Sequence, residues 1–234
     1  MTNQHKRQTM RLYTAPLSMF GAKAWIAALE KGIDCEIVMV PYNVITGYDP
    51  KHPDVLRVNP KRQVPVLIDG DLEIFDSTQI FEYFEDLRPL PALWPKDVRA
   101  RATARNFELQ SDEVFFPHVI KLMGLQKTLE DPAAVTACAA IALYYHEMER
   151  ILGEQPFLCG ALSYADIAFY MAQLFAGRLG APMTAEKTPR LQQWRERMSS
   201  RASVHIAVTP LVAFLRANAR PVPDYLQRFE AAKN

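Results

Sequence analysis

At 234 residues the chain has room for two small domains, and its 27 Lys and Arg nearly balance its 26 Asp and Glu. A formal net charge of +1 with no dense basic stripe excludes nucleic acid as the main partner. No run approaches the ~18 apolar residues of a membrane span, residues 1–9 read as a flexible polar tail without a secretory apolar core, and the three cysteines, Cys35, Cys138 and Cys159, form no Cys-x-x-Cys, which suits a reducing cytoplasm.

Met10–Tyr13 and Cys35–Val40 read as strands, separated by an Ala-rich, apolar-faced helix from Phe20 to Lys31. Gly32 stops that helix at its C-terminal cap position. A loop rich in turn formers follows, with Asn43, Gly47, Asp49, Pro50 and Pro53. Val64–Ile68 and Leu72–Phe75 are β-type runs joined by Asp69-Gly70-Asp71, a hairpin signal. Ser77–Leu87 is helical again. This order predicts an α/β thioredoxin-like N-terminal domain over residues 10–88.

Three prolines then fall within Arg88–Pro95, which fits neither a helix interior nor a strand, so residues 89–96 read as a linker. Beyond it strand signals vanish. Asp97–Met123, Pro132–Leu152, Ser163–Phe175, Pro189–Met198 and Ser203–Ala217 carry helical spacing, and residues 97–234 are predicted to form an all-α helical-bundle C-terminal domain. Pro117 should kink the first of these helices.

Two motifs carry ligand chemistry. Val64-Pro65 lies between a polar loop and a short β-branched run, where a cis peptide bond fits, since only proline makes that isomer inexpensive. Such a bond would turn the N–H and C=O of Val64 outward, where they could pair with an extended peptide as a further strand would. Downstream, Asp76-Ser77 opens a helix and aims backbone N–H groups and a hydroxyl at an arriving carboxylate. A peptide-like ligand with a free carboxylate at one end fits both features, and glutathione is such a ligand.

These motifs sit within a longer pattern. Leu12-Tyr13-Thr14-Ala15-Pro16-Leu17-Ser18, Glu30-Lys31-Gly32-Ile33, Gln63-Val64-Pro65-Val66-Leu67, Asp76-Ser77-Thr78-Gln79-Ile80 and Leu162-Ser163-Tyr164-Ala165-Asp166-Ile167-Ala168 together resemble the cytosolic glutathione transferase family, in its order and approximate spacing. The resemblance implies glutathione as co-substrate, no metal, and a symmetric homodimer. It implies that Asp76 faces the γ-glutamyl ammonium and Ser77 its carboxylate, that Val64, directed by Pro65, contacts the cysteinyl unit, and that Gln63 and Lys51 reach the glycyl end, with His52 a rival to Lys51.

Ser18 is the catalytic candidate. A thiol with a free pKa near ~8.5 is only a few per cent thiolate at neutral pH, and each unit gained is about 1.4 kcal/mol. A hydroxyl at a helix N-terminus can donate to sulfur while the dipole adds positive potential; serine is too weak a base to take the proton. The same residue is equally a helix N-cap. Met19 replaces the proline that often follows this serine in the family, and some relatives use backbone N–H groups instead. Tyr13 competes but falls within the strand, and no thiol lies in the loop.

By resemblance, the electrophile's pocket is apolar and lies between the domains, with Met19 and Phe20 on one side and Phe115, Phe116, His118, Val119 and Met123 on the other. Ser163 and Asp166 form a capping box, flanked by Leu162 and Ile167 as a hydrophobic staple, a folding device. His146 and His205 sit in apolar helical surroundings, and no Cys/His cluster or Gly-x-Gly-x-x-Gly supports a metal or dinucleotide. The expected function is a cytoplasmic glutathione transferase attacking an apolar electrophile, as in detoxification. The alternatives are a non-enzymatic interaction or ligand-binding protein of the same fold, or a specialised glutathione-dependent etherase or dehalogenase.

Overall fold

A computed structural model of the protein describes residues 9–43, 45–49 and 51–229, so all of the expected tail except Thr9, and Pro50 of the turn-rich loop, lie outside it. The chain forms two compact units that divide between Pro91 and Ala92, within the predicted linker.

The first unit runs β1 (Arg11–Thr14), α1 (Met19–Glu30), β2 (Glu36–Met39), α2 (Pro53–Val58), β3 (Val66–Asp69), β4 (Leu72–Phe75) and α3 (Ser77–Leu87). The sheet order is β2-β1-β3-β4, with β1 parallel to β2 and β3 antiparallel to both β1 and β4, a thioredoxin-like arrangement. Alternation along each strand gives the sheet two apolar faces. Tyr13, Val66 and Ile68 pack with Val40 and with Val55 of α2 on one of them. Strand β3 starts two residues later than predicted, because Pro65 has no N–H to give the ladder. The helix α2 falls where a loop was expected: Pro53 occupies its first turn and His52 caps it, accepting from the Asp54 N–H at 3.2 Å.

Gly32 takes φ +61°, as its cap position requires, and the Arg88 guanidinium donates to the carbonyls of Lys31 and Gly32 at that helix end. Lys31 is fully buried, its ammonium 2.5 Å from Glu85 and 2.8 Å from the Pro91 carbonyl, so α1, α3 and the start of the linker share one buried charge pair.

The second unit is helical: α4 (Val98–Gln110), a π-helical turn (Ser111–Phe115), α5 (Phe116–Lys121), α6 (Pro132–Leu152), α7 (Tyr164–Arg178), α8 (Pro189–Ser199) and α9 (Ala202–Ala217). The single kinked helix predicted over Asp97–Met123 is therefore four pieces, the last a 3-10 turn over Leu122–Gly124. Pro117 supplies no N–H and its ring crowds the carbonyl four residues back, and the chain widens into the π turn just before it. Among the described residues no single helix is long and apolar enough to cross a membrane.

Helix α7 lies at the centre of this unit, with every residue from Tyr164 to Ala176 buried. Its N-terminus is fixed by Asp166, which accepts from the N–H groups of Leu158 (2.9 Å) and Ser163 (3.0 Å), the Ser163 hydroxyl (2.9 Å) and the Trp194 indole (2.9 Å). The predicted capping box is present, and burial pushes the Asp166 carboxyl pKa up against the pull of these four bonds. Phe169 stacks on Trp194 with ring centroids 5.1 Å apart.

Asp166→Ala would leave two backbone amides and an indole N–H unpaired in the interior, and is expected to cost about 3 kcal/mol. The urea midpoint of the full chain checks this; a loss under about 0.5 kcal/mol, the level of an ordinary surface change, would mean that the cap does not hold the helix.

Candidate active site

Pairing of Tyr13 with Val66, and of Val66 with Phe75, fixes what lies at one end of the sheet. The segment after β1, the Val64-Pro65 segment before β3 and the Asp76-Ser77 segment after β4 all meet there. Because β2 runs parallel to β1, with Met39 opposite Thr14, the loop carrying Lys51 and His52 leaves from the same end. Helices α1 and α3 both begin at this end; α1 has no acidic side chain in its first turn or at its cap, whereas α3 is capped by the carboxylate of Asp76.

At α1, Ser18 is the N-cap: its Oγ accepts from the Gly21 N–H at 2.9 Å, and its own N–H donates to the Ala15 carbonyl at 3.0 Å. A hydroxyl has one proton and two lone pairs, so accepting from Gly21 leaves the O–H free to donate. Capping and donation are therefore compatible in this geometry. Gly21 was not anticipated. A Cβ there would fall 2.1 Å from Thr14 Oγ1 and 3.0 Å from Ser18 Oγ, so only glycine lets the first turn of α1 close on the end of β1. The signal was available, since glycine in an otherwise Ala-rich helix is unfavourable without a packing reason.

At α3, Asp76 adopts φ +79° and ψ +132°, a conformation that L residues rarely hold, while its carboxylate accepts from the Thr78 N–H at 3.0 Å. Ser77 is buried in the first turn. The Val64-Pro65 bond is cis, as expected. Among the described residues no hydrogen bond engages the main chain of Val64. The exposed Gln63 is steadied by Asn59, also missed in the sequence, whose Nδ2 donates to the Gln63 carbonyl at 2.6 Å.

Lys51 is half-buried, with its ammonium 5.9 Å from the centre of the Tyr48 ring. The rival His52 is occupied in capping α2 and in ring contact with Tyr13, centroids 5.0 Å apart. Tyr13 itself is buried and donates to Asp54 at 2.5 Å, and its phenol is pushed up to about 12 by burial and that hydrogen bond. It is locked away from the loop that ends at Ser18.

The residues expected around the electrophile are not all at a surface. Met19 is buried in the first turn of α1, whereas Phe20 keeps part of its ring open. In the helical unit Phe115 is fully buried against Tyr144, Tyr145 and Phe169, Phe116 meets Phe175 edge-on, and Val119 is fully buried. Apolar side chains at helical spacing here mostly build core. His118 is half-buried and Met123 exposed.

Residues 12–92 match the family model for the glutathione S-transferase N-terminal domain, and residues 125–206 that for the C-terminal domain. The chain is 33% identical to a stringent starvation protein A homolog of Coxiella burnetii over 65% of its own length and 68% of that protein. It is 28% identical to glutathione S-transferase Z1 of Arabidopsis thaliana over 93% of its length and 95% of that protein. A glutathione S-transferase structure from Rhodospirillum rubrum F11 superposes with a TM-score of 0.77 at 25% identity, covering 94% of this chain and 99% of that one. Another, from Methylobacillus flagellatus and solved with GSH bound, gives 0.74 at 25% identity, covering 85% and 98%.

Gly21→Ala is expected to destabilise the protein by about 2 kcal/mol, because neither Thr14 nor the helix turn has room to give. Thermal unfolding measures it; a melting temperature equal to the native one would show that the close approach of α1 to β1 is not required.

Proposed function

The chain belongs to the cytosolic glutathione transferase family, and on that premise we propose that it activates the thiol of glutathione at the N-terminus of α1 and directs the thiolate at an apolar electrophile. Ser18 donates its free O–H to the sulfur, and the unneutralised start of α1 adds positive potential, so the anion is favoured and the proton leaves to water. The sulfur lone pair then forms the new bond to the electrophile as the leaving group departs with its electron pair. Asp76 holds the γ-glutamyl ammonium, Ser77 and the start of α3 its carboxylate, and Val64, oriented by Pro65, the cysteinyl main chain. Gln63 and Lys51 take the glycyl carboxylate.

The supporting observation is the register that brings the segments after β1, before β3 and after β4, which carry Ser18, Val64-Pro65 and Asp76-Ser77, to one end of one sheet. For the second substrate, the family resemblance offers Met19 and Phe20 of the first unit and Phe115, Phe116, His118, Val119 and Met123 of the second, of which Phe20, His118 and Met123 keep solvent-reaching surface. We assign the protein to the cytoplasm as a homodimer. The similarity to a stringent starvation protein A homolog favours a second reading, a non-enzymatic interaction protein of the same fold, for which retention on immobilised glutathione should be poor.

Steady-state kinetics with glutathione and an activated aryl halide separate the roles. Ser18→Ala should lower kcat about 100-fold with little change in KM for glutathione. Asp76→Asn keeps the cap and tolerates positive φ, so it should raise that KM about tenfold while kcat holds within a few-fold. A fully active Ser18→Ala would move thiol activation to backbone donors, and a native KM in Asp76→Asn would remove Asp76 from the glutathione site.

A further inference from the structure

The loop between α2 and β3 is exposed at Pro60, Lys61, Arg62 and Gln63, yet Asn59 beneath it is only 3% exposed. Four hydrogen bonds meet at this one residue. Its N–H donates to the Val55 carbonyl at 3.0 Å, which closes α2, and its carbonyl accepts from the Arg62 N–H at 2.8 Å. Its side chain reaches two further main-chain groups: Oδ1 accepts from the Lys61 N–H at 2.9 Å, and Nδ2 donates to the Gln63 carbonyl at 2.6 Å. Those partners need opposite ends of a primary amide, so no other side chain of this size serves both. Arg62, enclosed by these bonds, has φ +56°, in the left-handed region that side chains disfavour.

The bond to Gln63 has a directional consequence for the next residue. The Gln63–Val64 peptide is trans, so its C=O and N–H point to opposite sides of the chain. Asn59 draws that carbonyl toward the buried side and thereby turns the Val64 N–H away from it. Among the described residues this N–H has no hydrogen-bond partner, although Val64 is half-buried. A main-chain donor in such a place needs a partner from outside the chain.

We propose that Asn59 is a positioning residue for glutathione: it holds the Gln63 carbonyl so that the Val64 N–H faces the cysteinyl unit. The assignment rests on the glutathione site proposed above and names the residue that keeps its main-chain contact in place. Asn59 itself touches neither the peptide nor the sulfur. A hydrogen bond to the cysteinyl main chain is made equally before and during the transfer. Its loss therefore weakens binding and leaves the chemical step alone.

Asn59→Asp keeps the acceptor for Lys61 but sets a carboxylate oxygen against the Gln63 carbonyl, and Asn59→Ala removes both side-chain bonds. Calorimetric titration of glutathione into the full chain should show Kd raised about tenfold in Asn59→Asp and about fivefold in Asn59→Ala. With an activated aryl halide, KM for glutathione should rise in step while kcat stays within about twofold of native. Arg62→Gly added to Asn59→Ala accepts the left-handed φ freely, so thermal unfolding should show stability regained while affinity stays low. Native affinity in Asn59→Asp, or affinity regained along with stability in the double variant, would overturn the role of Asn59 alone. A native chain that binds no glutathione would overturn the site, and the role of Asn59 with it.

Discussion

The antiparallel register that sets Tyr13 against Val66 and Val66 against Phe75 is the constraint on which the glutathione-binding unit depends. A slip of one residue would exchange the two faces of the sheet, sending Tyr13 and Val66 away from the core they share with Val55. It would also displace Val64-Pro65 and Asp76-Ser77 relative to Ser18. Burial of both sheet faces therefore fixes the geometry of the ligand site. The order of the site is a by-product of the order of the core.

Within that frame, two helix N-termini do similar electrostatic work with different caps. Ser18 accepts from Gly21 and keeps a proton to donate, so it is neutral toward an approaching anion apart from that hydrogen bond. Asp76 accepts from Thr78 but carries a negative charge and a strained φ of +79°. A charge at this cap suits a ligand end that presents both an ammonium and a carboxylate, as the γ-glutamyl group does. Residues in rarely populated backbone regions persist where the surroundings over-determine them, and such positions cluster at ligand clamps.

The fold was largely legible because its signals were local and redundant. Gly32, the Asp69-Gly70 turn, Ser163 with Asp166, and the prolines of Arg88–Pro95 each marked a boundary through a specific backbone preference. The α2 helix was missed because Pro53 and Asn43 read as turn formers, yet Pro in a first turn is equally a helix start. The π turn was missed since Pro117 predicts a disruption but not its form. In the candidate site, the residues proposed to face glutathione carry recognisable motifs. Gly21 and Asn59 act through close approach and a loop carbonyl, and become visible only when β1 and α1, or the Asn59–Gln63 loop, are seen in space. Phe115, at the end of the π turn, and Val119, on α5, carry the same helical spacing whether they face a ligand or the core, and both are fully buried in the helical unit.

The most direct test of the central claim is the pKa of glutathione's thiol when bound to the native protein, read from thiolate absorbance in the ultraviolet across pH. If the free hydroxyl of Ser18 and the start of α1 act on the sulfur, the midpoint should fall at least about one unit below the ~8.5 of an ordinary thiol. Saturated binding with a midpoint equal to that of free glutathione would contradict the account, because the candidate site would then hold the peptide without stabilising its thiolate.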